Sequence, residues 1–139
     1  MPLCTYLYFD GDCAAAFDFY KSVFGGDFTS KASWGDAPPD MGVPDGQKDK
    51  LMHVSLAIGD GLLMGCDVVE GFGEKPVTGG FALSYMPDSR DEADRAFGEL
   101  TEGGEVKMPM QDMFWGAYFG QGTDRFGIEW MVNVESPGA

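Results

Sequence analysis

Apolar positions recur every second residue in some stretches of the chain and every third or fourth in others, and the switches between the two periods divide it into elements. Leu3 to Phe9 is aromatic-rich and ends at Asp10-Gly11-Asp12, which predicts a strand running through a turn into a helix. From Cys13 to Phe24, Ala16, Phe19, Tyr20 and Val23 fall at i, i+3, i+4 and i+7, one face of an amphipathic helix. Asp12 is its expected N-cap and Gly25-Gly26 its stop. A short strand follows at Phe28 to Ala32. Trp34 to Lys50 carries three prolines and three glycines and is expected to be a long loop. Met52 to Ile58 alternates as a strand does, Gly59-Asp60-Gly61 turns the chain, and Leu62 to Cys66 returns.

A second loop, Asp67 to Gly79, separates this half from another with the same order. Strand Phe81 to Met86 leads to a helix start at Asp88-Ser89 and a helix at Asp91 to Leu100. Gly103-Gly104 follows, then a strand at Glu105 to Met108, a connection, and strands at Trp115 to Phe119 and Ile128 to Val134. A shift of 78 residues lays Ala15 on Ala93, Phe19 on Phe97, Gly25-Gly26 on Gly103-Gly104 and Asp27 on Glu105. The expectation is one α+β domain over residues 1–139 built from two βαβββ repeats, about 3–67 and about 80–135.

Composition narrows the function classes. Nine Lys and Arg against 23 Asp and Glu leave a net charge of −14, which repels phosphate backbones and anionic lipid headgroups, so neither nucleic acid nor membrane is an expected partner. No apolar run approaches the roughly 20 residues of a membrane span, and no signal peptide is evident at the start, which points to a cytoplasmic protein. The three cysteines Cys4, Cys13 and Cys66 show no CxxC spacing and are expected as small buried apolar residues. A single histidine, His53, excludes sites that one chain would build from several histidines. The acidic runs Asp36 to Asp49 and Asp88 to Asp94 lack calcium-loop spacing and are expected as solvated faces, caps and turns.

Several segments carry a resemblance: Tyr6-Leu7-Tyr8-Phe9-Asp10-Gly11-Asp12-Cys13, Phe17-Asp18-Phe19-Tyr20-Lys21-Ser22-Val23-Phe24-Gly25-Gly26, Met52-His53-Val54, Leu63-Met64-Gly65-Cys66-Asp67, Met108 to Gly116, and Thr123 to Asn133. Together they resemble the PhnB-like branch of the vicinal oxygen chelate superfamily, the group of glyoxalase I, extradiol dioxygenases and bleomycin resistance proteins. The branch is often labelled 3-demethylubiquinone-9 3-methyltransferase-like. The resemblance implies a curved mixed sheet around a cleft shared by the two repeats, and a homodimer. The methyltransferase label implies S-adenosylmethionine, but no strand here runs into a G-x-G-x-x-G helix start that would hold it.

The superfamily resemblance also implies a divalent metal held by one residue from the first and one from the last strand of each repeat. Those positions fall at Thr5 and Leu83, at Leu63 or Met64, and at Glu129 or Met131, and only Glu129 suits a hard or borderline cation. No cofactor is therefore expected.

The remaining candidates come from residue chemistry. His53 and Glu129, on inward-curving strands of different repeats, are the expected catalytic pair if they share the cleft, one of them acting as general base or metal ligand. Gln111 and Asp112 offer polar specificity beside the flat apolar walls of Phe114 and Trp115. Tyr6 and Tyr8, with Tyr85, place hydroxyls on the first strands, and Met52, Met64, Met86 and Met131 place thioethers on the sheets. The leading expectation is a protein that binds a small apolar or aromatic molecule without the usual metal quartet. The alternatives are a metal-dependent lyase, isomerase or dioxygenase using His53 and Glu129, and a structural dimer clasped by the Trp34 to Lys50 arm.

Overall fold

A computed structural model describes residues 3–69, 71, 76 and 79–135. It divides into two compact units, Met1–Val77 and Thr78–Ala139. The first contains β1 (Thr5–Phe9), α1 (Cys13–Phe24), β2 (Asp27–Ser33), β3 (Leu51–Ile58) and β4 (Gly61–Asp67). The second contains β5 (Leu83–Tyr85), α2 (Arg90–Thr101), β6 (Glu105–Asp112), β7 (Tyr118–Thr123) and β8 (Glu129–Val134). Each unit is a four-stranded sheet with a helix packed on it. The strand orders are β1-β4-β3-β2 and β5-β8-β7-β6, with the first and last strands of each unit parallel and the rest antiparallel. In the Asp67 to Gly79 stretch, expected as a loop, residues 70, 72–75, 77 and 78 lie outside the described residues. Among the described residues no helix is long and apolar enough to cross a membrane.

Alternation in the strands sorts side chains onto two faces. In the first unit Leu7, Phe9, Val54, Leu56 and Leu63 are buried. Phe9 meets the edge of Phe17 from α1 at 6.2 Å between ring centroids, and Phe17 meets Tyr20 at 5.6 Å, so this is the helix-covered face. Gly65 lets Phe17 lie against the sheet, because a Cβ there would stand 2.8 Å from the Phe17 ring and 2.9 Å from the Leu7 carbonyl oxygen. Tyr6, Tyr8, His53, Met64 and Cys66 have the opposite parity and occupy the face turned away from α1.

The helices repeat in the structure, but with a different phase from the sequence alignment. Cys13, Ala16, Phe17 and Tyr20 are buried in α1, and Ala93, Ala96, Phe97 and Leu100 are buried in α2, which is a spacing of 80 residues. Ala15 is exposed and Phe19 only half-buried, so Phe17, not Phe19, is the partner of Phe97 in packing. The glycines do keep the 78-residue spacing. A Cβ on Gly26 would lie 2.0 Å from the Ala57 carbonyl oxygen, and one on Gly104 2.0 Å from that of Thr123, so in both units the chain leaving the helix presses on the third strand.

Helix starts differ as well. Ser89 caps α2, its hydroxyl accepting the Glu92 N–H at 3.2 Å. The Asp12 side chain makes no cap hydrogen bond in α1. Its role passes to Asp67 at the end of β4, which is buried and accepts the N–H groups of Gly11 at 2.9 Å, Cys13 at 3.0 Å and Leu51 at 3.0 Å. Asp67 thus joins the β1–α1 turn to the start of β3. Its carbonyl oxygen also accepts the indole N–H of buried Trp34 at 3.0 Å, which anchors the start of the long loop. That loop contains single 3-10 turns at Trp34–Asp36, Pro39–Met41 and Asp45–Gln47, and its ends are joined where Trp34 N–H donates to Lys50 and Gly35 N–H to Lys48.

Two strands of the second unit run where a connection and an earlier strand were expected. β6 continues to Asp112, and the turn falls at Met113 to Ala117, where Met113 N–H donates to the Ala117 carbonyl and Gly116, at φ +97°, donates back to Met113. Trp115 is therefore on a turn and the next strand starts at Tyr118.

Candidate functional site

On the face of the first sheet turned away from α1, three rings follow one another. Tyr8 and Tyr6 lie 5.3 Å apart between centroids, and Tyr6 and His53 lie 5.7 Å apart at an interplanar angle of 31°. The Tyr6 hydroxyl is 3.1 Å from His53 Nδ1. Its other neighbour is the Cys66 thiol. The topology explains the meeting: β4 lies between β1 and β3, with Met64 opposite Tyr6 and Cys66 opposite Tyr8, so the Tyr6 side chain reaches over Cys66 toward His53. Tyr8 is 57% exposed, Cys66 is buried, and Tyr6, His53 and Met64 are half-buried.

Burial, then the neighbouring Cys66, holds the Tyr6 phenol well above the usual tyrosine range, so it stays protonated and remains a donor. Burial likewise raises the Cys66 thiol, which makes it a poor nucleophile. Cys13, buried at the start of α1, is raised by burial and by the carboxylate of Asp67. Cys13 and Cys66 are buried as expected, Cys4 is only half-buried, and the contact of Cys66 with Tyr6 was not foreseen. Strand parity alone could not have given it, because the observed register sets Met64 opposite Tyr6 and Cys66 opposite Tyr8, whereas a one-residue slip would have put Leu63 and Gly65 on that face.

In the second unit the corresponding face carries Phe119, Gln121, Thr123, Glu129 and Met131, with Gln121 opposite Met131 and Thr123 opposite Glu129. Glu129 is ion-paired with Lys107 of β6, with Gln121 beside it; the Lys107 contact, before the rest, holds its carboxyl below the usual range. The pairing favours its ionised form. Asp112 is ion-paired with Arg90 at the start of α2, whose guanidinium lies 4.5 Å from the centroid of the Tyr118 ring. Tyr118 donates to Asp94 at 2.6 Å. Gln111 is exposed, with its Cα opposite that of Phe119. Phe114 and Trp115 stand edge to face at 4.9 Å, and Trp115 meets Phe119 at 6.4 Å. Phe114 is 96% and Trp115 54% exposed.

The structure therefore brings Tyr6, Tyr8 and His53 into one cluster and Phe114 and Trp115 into another. Asp112 belongs to the tie between β6 and α2. Lys107 and Gln121, which engage Glu129, were not anticipated from the sequence, since a contact across three strands has no local signature.

The metal implied by the resemblance finds no matching donor set. Thr5 pairs with buried Leu63 and Leu83 with buried Trp130, on the helix-covered faces. The side chains turned the other way at that level are Tyr6 opposite Met64 and Ser84 opposite Met131. Thioethers, a protonated phenol and a serine hydroxyl do not fit a hard or borderline divalent cation. Among the described residues no group of three or more His, Cys, Asp and Glu side chains is arranged to hold one.

Two units of strand, helix and three strands, each closing its sheet by a parallel pairing of first with last strand, define the class of the glyoxalase/bleomycin resistance fold. The chain belongs to the glyoxalase/bleomycin resistance protein/dioxygenase superfamily, whose family model matches residues 4–132. It is similar to protein PA1353 from Pseudomonas aeruginosa, at 40% identity over 98% of both chains and a TM-score of 0.86. Protein YjdN of Escherichia coli (strain K12) is 31% identical over 96% of this chain and 95% of its own length. The PhnB protein from Bacillus cereus shares the fold, with a TM-score of 0.77 at 20% identity over 96% of this chain and 99% of its own.

Proposed function

We propose that the chain binds a small apolar or aromatic molecule against the face of its first sheet turned away from α1, without the four-ligand metal set of its superfamily. The observation that carries this reading is the row Tyr8–Tyr6–His53, with Met64 beside it. Stacked or tilted rings with a flexible thioether offer a flat, polarisable surface to another flat molecule, and each ring contact contributes roughly 0.5–1.5 kcal/mol beyond area burial. The net charge of −14 favours an uncharged or cationic ligand over an anionic one.

The test is a thermal-shift series with uncharged phenyl and naphthyl compounds, using glucose and inorganic phosphate as controls. At about 100 times Kd a ligand should stabilise the protein by about 2.7 kcal/mol, a rise of several degrees in Tm. The rise should vanish in Tyr6→Ala and Tyr8→Ala. No shift with any aryl compound at millimolar concentration, or shifts that survive both substitutions, would overturn the reading.

A further inference from the structure

Resting on that reading, we infer that His53 determines specificity at this site by presenting its Nε2–H as a hydrogen-bond donor, so that the ligand is a planar molecule bearing an uncharged acceptor such as a carbonyl oxygen. The inference starts from the hydrogen bond between Tyr6 and His53, in which the phenol oxygen stands 3.1 Å from Nδ1. If Nδ1 carried the ring proton, it would donate to the phenol oxygen, a weaker acceptor than an imidazole nitrogen, and the phenol O–H would be left facing only the neighbouring Cys66 sulfur, a weak acceptor. The other arrangement has the phenol donate to Nδ1, with both groups in their better role. It places the ring proton on Nε2, for which no protein partner is found among the described residues.

The surroundings set the charge of what that donor meets. On this face the register neighbours are Met64 for Tyr6, Cys66 for Tyr8, Ala32 for His53, and Met64 and Ser30 for Ser55, none of them charged. With no cation among these register neighbours, a carboxylate or phosphate would lose its water without a counter-charge from the sheet, whereas a carbonyl oxygen loses little and gains the bond. The row of rings then receives the flat body to which the carbonyl is attached.

Two measurements test this. In the first, the affinities of acetophenone and its hydrocarbon isostere α-methylstyrene are measured by calorimetry for the wild type and for His53→Phe, which keeps an aromatic ring and removes the donor. The ratio of ketone to hydrocarbon affinity should fall about 3- to 10-fold in the variant, the size of one neutral hydrogen bond, since differences in transfer from water cancel in the cycle. An unchanged ratio with both compounds binding overturns the inference and leaves the binding reading standing. If neither compound nor any other aryl probe binds the wild type, the binding reading itself fails, and this inference with it. In the second, which needs no variant to fold, the imidazole nitrogens of the wild type are observed by 15N NMR above the histidine titration range. His53 is the only histidine, so no residue assignment is needed, and the couplings of the two ring C–H protons to each nitrogen tell Nδ1 from Nε2. A pyridine-type Nδ1 and a pyrrole-type Nε2 are expected, with Nε2 shifting on addition of acetophenone; the reverse tautomer overturns the inference.

Discussion

Two buried carboxylates hold this chain together at the level of single residues, and neither stands out among its 23 acidic positions. Asp67 accepts three backbone N–H groups within the first unit. Asp124 accepts those of Phe126 at 2.8 Å and Ile128 at 3.0 Å, together with the indole N–H of Trp130 at 2.9 Å, in the turn before β8. A hydrogen bond to a charged group contributes about 1.5–3 kcal/mol, and an orphaned buried donor costs about as much. Asp67→Asn replaces one acceptor oxygen with an amide that faces a backbone donor, and it should cost about 2–4 kcal/mol in denaturant unfolding. A loss below about 0.5 kcal/mol would show that the three bonds are weaker than their geometry indicates. Sequence patterning treats such residues as polar and therefore outside, because what makes Asp67 internal is the meeting of Gly11, Cys13 and Leu51, which are far from it along the chain. The Tyr6–His53 contact was hidden for the same reason: 47 residues separate the two, and only the placement of β4 between their strands brings them together.

At the scale of elements, periodicity was a good guide to what forms and a poorer one to phase. Both helices and most strands fall within a few residues of their expected positions, because an apolar stripe of period 3.6 or 2 must be buried somewhere. The repeat was legible through Gly25-Gly26 and Gly103-Gly104, where close approach of the chain to the third strand leaves no room for a side chain. The buried face of α1 was legible at Ala16, Tyr20 and Val23 but not at Phe19, since Phe17 and Phe19 are equally apolar and only packing against Phe9 selects the first. Caps divided in the same way. Ser89 bonds its own helix, so Ser89→Ala should cost about 1 kcal/mol, whereas Asp12→Ala should change stability by less than about 0.5 kcal/mol because Asp67 satisfies the start of α1. Paired unfolding curves of the two variants check this, and equal losses would assign the cap of α1 to Asp12 after all.

At the scale of the whole molecule, membership of the superfamily fixes the fold but leaves chemistry to the side chains each sheet presents. In this chain the strands that would supply metal ligands present Tyr6, Met64, Ser84 and Met131 instead, and Glu129 is ion-paired with Lys107. What remains concentrated on one face is a row of rings with a thioether beside it, in a protein whose net charge of −14 discourages anions. The most direct test of a binding role for that face is to watch Met64 itself. With 13C-methyl-labelled methionine and Met64→Leu to assign its signal, titration with acetophenone should give a saturable ring-current shift of the Met64 methyl, larger than that of Met41 in the long loop. A Met64 signal that does not move up to the solubility limit of the ligand, or that moves no more than Met41, would contradict the account.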